Sequence, residues 1–186
     1  GKLTLDQLQG IWHTESKDLI ISGNQITYCS TTKDKQPNRN VSLYTVYTGT
    51  ITDFQSDYER TFINGKKTYP YAIFWTGTQH RWSLGDLEPR EENVTATPDN
   101  PGNKAFYIEE VDLENGRIDF GCMSTNSKEY TKASSSPVYD MYLTDLKEAR
   151  EAKEERGSVY EFLANYVTTN GKKQTYGDFK GQYYCY

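Results

Sequence analysis

The stretch Leu19-Ile20-Ile21-Ser22-Gly23-Asn24-Gln25-Ile26-Thr27-Tyr28 decides the fold class, because it sets a two-residue turn between two runs of β-forming residues. A two-residue hairpin loop needs positive φ at one or both positions, and Gly and Asn adopt that conformation at least cost. The same chemistry recurs further along the chain, at Asn64-Gly65, Asn115-Gly116 and Asn170-Gly171. Strands joined by such tight turns are neighbours in space as well as in sequence. The sequence therefore predicts an all-β, up-and-down antiparallel sheet.

The number of strand patterns predicts that this sheet closes into a barrel. The longest pattern runs over 41–54, and Gly49 interrupts it where a bulge or a bend is expected. Further patterns, ending with a closing strand at 179–186, bring the count to about eight to ten, a number that suits a closed barrel. The polar segments 31–40 and 85–104 are expected to be exposed loops.

A helix is predicted near the end of the chain, after a last strand-like segment at 138–143. Residues 145–156 are strong helix formers in which basic and acidic side chains alternate, as on a solvated, ion-paired helix face. We expect a helical segment over about 144–167, interrupted at Gly157. Its apolar stripe is thin, which indicates that the helix lies on the surface of the barrel.

The composition suits one globular domain and argues against nucleic-acid and membrane partners. The chain, expected to form a single domain over 1–186, is 35% hydrophobic, and its 16 Tyr, 7 Phe and 3 Trp supply large side chains for a core. A net charge of −5 argues against nucleic-acid binding, which needs a basic stripe. No apolar run approaches the roughly 20 residues of a transmembrane helix. Basic and acidic residues are interleaved, so we expect no attraction to an anionic membrane either.

A family resemblance rests on Leu8-Gln9-Gly10-Ile11-Trp12, which follows a short helical turn and opens the first strand. This segment resembles the glycine-x-tryptophan signature of lipocalins and the wider calycin group. The resemblance implies a barrel in which Trp12 plugs the closed end and Gly10 permits close approach. It also implies a basic residue from the last strands over the tryptophan, for which Arg117 and Lys180 are candidates. A second lipocalin signature, threonine-aspartate-tyrosine, is not evident, so the chain resembles divergent, bacterial-type lipocalin-like proteins.

The interior of an eight-stranded barrel can hold one small ligand. The predicted ligand-binding residues are alternating aromatics, their apolar neighbours and one histidine: Tyr44, Tyr47, Tyr71, Ile73, Trp75, His80, Trp82, Phe106 and Ile108. Tyr44 and Tyr47 fall on opposite faces of a regular strand, so both line the interior only if a bulge lies between them. The alternative is that these side chains simply fill the interior.

Catalytic and metal-binding motifs are not recognisable in the sequence. His13 and His80 are the only histidines, whereas a zinc site usually needs three or four ligands at characteristic spacing. Adjacent carboxylates such as Glu109 and Glu110 point to opposite faces of a strand and cannot act as a glycosidase pair. We therefore expect no enzyme activity, no cofactor and no metal. An isomerase or lyase using a barrel pocket, the weaker alternative, would need a titratable residue buried in the pocket near a partner, and His80 is the first candidate.

Two functions from different classes agree with these patterns. The first is a secreted, periplasmic or cell-envelope lipocalin-like protein that binds a small apolar or aromatic molecule, with a lipid anchor on a removed leader as one form of attachment. The second is a filled barrel that acts as a structural or protein-interaction module through its polar loops and charged helix. A cavity open at one end would indicate the first, and a barrel filled by its own tyrosines the second.

Overall fold

The computed structural model describes residues 2–34, 41–84 and 88–169. Within them the chain forms nine strands, a short 3-10 helix at Leu5–Leu8 and one long α-helix. The elements are β1 (Gly10–Thr14), β2 (Lys17–Ser22), β3 (Gln25–Asp34), β4 (Val41–Phe62), β5 (Gly65–Ser83), β6 (Arg90–Ala96), β7 (Phe106–Asp112), β8 (Arg117–Cys122), β9 (Lys128–Ala133) and α1 (Pro137–Thr169). The hairpin expected at Asn170-Gly171 and the strand expected at 179–186 lie outside the described residues.

Eight of the strands close into an antiparallel barrel. Their order is β1-β2-β3-β4-β5-β7-β8-β9, and β9 pairs back onto β1. Among the described strands, β6 pairs with β5 alone, on the edge that β5 also uses to pair with β7. The predicted fold class, an all-β antiparallel barrel of about eight strands with a C-terminal helix, is confirmed.

Turn chemistry places the hairpins close to where the sequence predicts them. Gly23-Asn24 is the two-residue turn between β2 and β3, and Asn115-Gly116 lies in the turn between β7 and β8. Between β4 and β5 the turn residues are Ile63-Asn64, because Gly65, with a φ of 141°, already belongs to β5. This shift by one residue puts an isoleucine at the outermost point of the longest hairpin.

The segment 85–104, expected to be a loop, contains a strand. Residues 90–96 form β6, in which Val94 and Ala96 are buried while the charged positions are exposed. An edge strand tolerates charged side chains because only one of its edges is paired. The expectation was wrong because the charges of β6 hide the short alternation at its end.

The helix begins earlier than predicted and is continuous. Residues 138–143, expected to be strand-like, form the first turns of α1, and the helix runs through Gly157. Pro137 occupies the first helical position, where its missing N–H has no intrahelical partner to lose. One face of α1 packs on the outside of the barrel, since Val138, Tyr142 and Leu146 are buried against residues of β3, β4 and β5: Cys29, Tyr44, Val46 and Trp82. Among the described residues, no helix combines the length and the apolar character needed to cross a membrane.

One end of the barrel is closed by the 3-10 helix and Trp12. The indole Nε1 donates a hydrogen bond to the carbonyl of Leu8 at 2.9 Å, and both residues are buried. Lys132 places its Nζ 4.5 Å from the centroid of the indole ring and donates a hydrogen bond to the carbonyl of Gln9. Gly10 has a φ of 112°, and a Cβ there would lie 2.7 Å from that Nζ. The glycine therefore makes room for the cation over the tryptophan.

The cation on Trp12 is not one of the two candidates named from the sequence. Strand register puts Lys132 of β9 directly opposite Trp12 of β1. Arg117 instead pairs with Asp112, at 3.4 Å between nitrogen and carboxylate oxygen. Lys180 lies outside the described residues.

Candidate functional site at the barrel mouth

A continuous stack of aromatic rings fills the middle of the barrel. Tyr28 and Tyr47 face each other across β3 and β4, with ring centroids 5.6 Å apart. Tyr47 lies 5.5 Å from Trp75, which lies 5.6 Å from Phe106. Phe106 continues the stack to Phe120 at 5.2 Å. These separations are those of favourable aromatic pairs. The stacked rings therefore occupy the barrel interior next to its open end.

Three buried polar groups lie among these rings: the hydroxyls of Tyr47 and Tyr130 and the thiol of Cys122. Burial raises the pKa of all three groups, and the positive charge of Arg81 offsets part of the rise for Tyr47. The Cys122 thiol donates a hydrogen bond to the carbonyl of Asn103 at 2.9 Å. All three groups are therefore protonated and neutral near pH 7, and they can take part in hydrogen bonds.

A polar recess of about 230 Å³ lies toward the end of the barrel opposite the Gly23-Asn24 turn, and its Lys104 side chain lies 5.8 Å from the Tyr47 ring of the stack. Its lining comes from β5, β6 and the segment before β7: Gln79, Arg81, Arg90, Glu92 and Lys104. We call these five residues the mouth cluster. The register of β5 and β6 puts Gln79 opposite Glu92 and Arg81 opposite Arg90.

The mouth cluster carries more positive than negative charge. Within the part of the chain that the structure describes, no carboxylate lies within ion-pair distance of Arg81 or Arg90. Lys104 donates a hydrogen bond from Nζ to Gln79 Oε1, and the same Nζ lies 3.8 Å from Glu92 Oε2. Like charges directly opposite each other on neighbouring strands destabilise a sheet. An anion in the recess would relieve that repulsion.

A fourth cation, Lys17, lies beside the aromatic stack. Its Nζ donates hydrogen bonds to the hydroxyl of Tyr28 at 3.2 Å and to Ser30 Oγ at 3.0 Å. On the other side, Lys104 Nζ lies 5.8 Å from the ring centroid of Tyr47. Because the rings of Tyr28 and Tyr47 are neighbours, the two ammonium groups flank the same aromatic pair. At the open end of the barrel, positively charged side chains thus lie on both sides of an aromatic pair.

The structure divides the nine residues predicted to bind a ligand between separate places. Those in the barrel interior are Tyr47, Ile73, Trp75, Phe106 and Ile108. Tyr44 and Trp82 lie on the outer face beneath α1, where the Tyr44 hydroxyl donates a hydrogen bond to Asp145. The register of β4 against β5 runs from Tyr44 to Tyr47 without a shift. No bulge therefore brings these two tyrosines to one face.

His80 and Tyr71 lie away from the mouth cluster. His80 is also on the outer face, with Nδ1 3.2 Å from the hydroxyl of Tyr142 in α1 and Nε2 3.3 Å from Glu91 Oε1. The Tyr71 hydroxyl accepts a hydrogen bond from the backbone N–H of Leu3 at 3.2 Å, near the closed end. Both residues thus take part in joining the barrel to its neighbouring segments.

Sequence reasoning missed the mouth cluster and Lys17, although part of the signal was present. Gln79 and Arg81 continue the period-2 face of β5 that includes Trp75, a predicted interior residue. Polar side chains at the end of an interior face indicate an open, hydrated end of a barrel. Arg90 and Lys104 gave no such signal, because their segment read as a loop.

Comparisons with known proteins found no counterpart. No family model matches the chain, and neither a curated protein nor a solved structure matches it. Within 2–34, 41–84 and 88–169, no three side chains of His, Cys, Asp or Glu are grouped so that they could hold a metal ion. The closed barrel with one C-terminal helix fits a calycin or lipocalin-like fold.

Proposed function

We propose that this protein is a divergent lipocalin-like binding protein that holds one small organic anion at the mouth of its barrel. The proposed ligand has an aromatic or short apolar body and a single carboxylate, sulfate or phosphate group. The cations of the mouth cluster would bind the anionic group, and the body would lie toward the ring of Tyr47, which Lys104 approaches to 5.8 Å. The neutral hydroxyls and thiol beneath the site support binding without catalysis.

The observation that carries this proposal is that Arg81 and Arg90 stand opposite each other on β5 and β6 and both line the recess. A guanidinium presents a planar fork of donors that matches the two oxygens of a carboxylate or phosphate. The mouth cluster has three cations and one carboxylate, whereas the chain as a whole has a net charge of −5. The local excess of positive charge is therefore opposite in sign to that of the chain.

The dimensions of the recess limit the size of the ligand. Pockets for drug-sized ligands usually enclose about 300–1,000 Å³, and this recess encloses about 230 Å³. The stack from Tyr47 to Phe120 occupies the space below it, where a long acyl chain would otherwise extend. The geometry thus favours a compact molecule of about one ring system over a fatty acid.

Calorimetric titration with 1-naphthoate and its neutral counterpart 1-naphthamide tests the proposal. We expect the carboxylate to bind at least tenfold more tightly than the amide. The double variant Arg81→Gln, Arg90→Gln should weaken naphthoate binding about 10- to 100-fold, since a hydrogen bond to a charged group contributes about 1.5–3 kcal/mol. The matched control is Arg117→Gln, Arg150→Gln, which removes two exposed, ion-paired arginines that do not line the recess and should leave the affinity unchanged.

Equal affinity for the two probes, or equal losses in both double variants, would contradict the proposed anion site. If neither probe binds, the filled barrel becomes the better hypothesis. The aromatic stack is the observation that favours this second candidate, because it leaves the middle of the barrel occupied by the protein itself. Such a protein would act through its surface as an interaction module.

A further inference from the structure

The tip of the β4–β5 hairpin, residues 59–68, extends away from the barrel. β4 and β5 stay paired with each other as far as Phe62 and Gly65. Among the described strands, no third strand pairs with either of them over this region. Residues 61–68 are all exposed. From the pair Arg60–Lys67 outward, the tip reaches roughly 10 Å at about 3.3 Å per residue.

The outermost side chains of this hairpin tip are apolar. Ile63, in the turn itself, is 103% exposed, and Phe62 beside it is 44% exposed. Turn chemistry does not account for the isoleucine, since turns of this length favour Gly, Asn, Asp and Ser. A fully exposed, β-branched apolar residue also gains nothing from packing in the isolated protein. Its position therefore points to an apolar environment outside the molecule.

Basic side chains stand immediately behind the apolar residues. Arg60, Lys66 and Lys67 are opposed by one carboxylate within 59–68, Glu59, so the hairpin tip has a net charge of three minus one, or +2. Glu59 pairs with Lys66 at 3.2 Å, but both side chains are more than half exposed, and such pairs are weak. The hairpin tip is thus locally cationic, although the chain as a whole has a net charge of −5.

We propose that the hairpin tip inserts into the surface of an anionic lipid bilayer. Amphipathic elements at such surfaces bury their apolar side chains about 5–10 Å deep, and basic side chains behind them meet the anionic headgroups. Along the hairpin, Phe62 lies one residue beyond Lys66 and two beyond Arg60 and Lys67, and Ile63 lies one residue further out. This spacing places the three cations at headgroup depth when the apolar tip is inserted. A stable protein interface needs about 800 Å² on each partner, far more than two side chains on a narrow hairpin provide. The shape and charge of the tip therefore favour a lipid surface over a protein partner.

Vesicle sedimentation with the full chain tests the electrostatic part. We expect binding to vesicles of phosphatidylcholine and phosphatidylserine, weakening with salt, and little binding to phosphatidylcholine alone. Each cation removed should weaken binding about fivefold, so Arg60→Gln, Lys66→Gln, Lys67→Gln together should weaken it about 100-fold. The matched control removes three exposed lysines elsewhere, with Lys2→Gln, Lys147→Gln and Lys153→Gln, and should retain most of the binding.

The insertion itself is tested with Ile63→Asn and with Ile63→Trp. Ile63→Asn should reduce vesicle binding, whereas Leu143→Asn, at an exposed apolar position on α1, should not. The native tryptophans are at most 1% exposed, so quenching of Ile63→Trp by brominated acyl chains reports the tip alone. All these positions are exposed except Arg60, which is half-buried, and unchanged melting temperatures would verify the fold. No preference for phosphatidylserine, equal losses in tip and control variants, or no quenching would overturn the proposal.

Discussion

Asp18 of β2 is a buried carboxylate that fastens α1 to the barrel. Its side chain is 0% exposed, and its Oδ2 accepts hydrogen bonds from the backbone N–H groups of Val138 at 2.6 Å and Tyr139 at 2.9 Å. Its Oδ1 lies 2.6 Å from His13 Nδ1. The first N–H groups of a helix have no partner within the helix, so Asp18 caps α1 from a distant strand. We predict that Asp18→Ala is much more destabilising than Asp18→Asn.

The magnitudes of the two effects follow from the contacts that each substitution removes. Asp18→Ala deletes both cap hydrogen bonds and leaves the buried N–H of Val138 without an acceptor. Two hydrogen bonds to a charged group contribute about 1.5–3 kcal/mol each, so we expect a cost of about 3–5 kcal/mol. Asp18→Asn keeps a carbonyl oxygen that can accept both hydrogen bonds, and its amide can donate to an unprotonated nitrogen of His13. Only the charge is lost, and we expect a cost of about 1 kcal/mol.

Urea unfolding of the two variants measures these differences in the free energy of unfolding. Near-ultraviolet circular dichroism adds a local signal, because Trp82 packs against Tyr142 of α1 with ring centroids 6.3 Å apart. Asp18→Ala should lose this signal before the barrel unfolds, and Asp18→Asn should keep it. The reasoning is refuted if Asp18→Ala costs less than about 1 kcal/mol, or if the two variants are equally unstable.

Three further outcomes concern the closed end, the β4–β5 ladder and a buried thiol. Lys132→Met should lower the free energy of unfolding by about 1–2 kcal/mol, because it removes the cation–π contact with Trp12 and the hydrogen bond to the Gln9 carbonyl. Arg117→Met should change the free energy of unfolding by less than about 1 kcal/mol. Urea unfolding of the two variants measures both values. Gly77→Ala would place a Cβ 2.1 Å from the Thr48 carbonyl oxygen, so we expect a loss of at least about 3 kcal/mol in thermal unfolding. Burial, aided by a nearby carboxylate, raises the pKa of Cys29 from 9.0 to about 12. The folded state therefore keeps a proton that the unfolded chain loses above pH 9, and this stabilisation is complete below that pH and declines by about 1.4 kcal/mol per unit toward pH 12. A free energy of unfolding in urea that stays constant between pH 8 and pH 10 would contradict this prediction. Cys29→Ala should remove the part of the pH dependence that comes from the thiol.

Local chemistry made the hairpins predictable. Gly23-Asn24 turns the chain wherever it occurs between β-forming runs, because the φ it supplies does not depend on the rest of the fold. At Asn64-Gly65 the predicted turn is displaced by one residue, because either neighbour of Asn64 can supply the second turn position. The barrel itself follows from repeated turns and strand number, and it did not require knowledge of any distant contact.

Contacts between distant residues were not predictable in this way. Lys132 lies over Trp12 only because β9 closes onto β1 in one register, and nothing near Lys132 in the sequence distinguishes it from Arg117. The early start of α1 likewise depends on Asp18, which caps the helix from the distant strand β2. Strand β6 forms because β5 offers it an unpaired edge, and its own charged sequence predicts a loop.

Residues that determine the fold and residues that would determine the ligand lie at opposite ends of this barrel. Gly10 goes together with Trp12 and Lys132, because its φ of 112° disfavours other residues and a Cβ there would displace the Lys132 ammonium group from the tryptophan. The signature is thus a packing requirement of the closed end. At the open end, by contrast, Arg81 and Arg90 can be exchanged without any change to that packing, since no hydrogen bond or ion pair joins the two sets. A lipocalin-like signature therefore predicts how the chain closes its barrel, while the choice of ligand has to be argued from the mouth cluster itself.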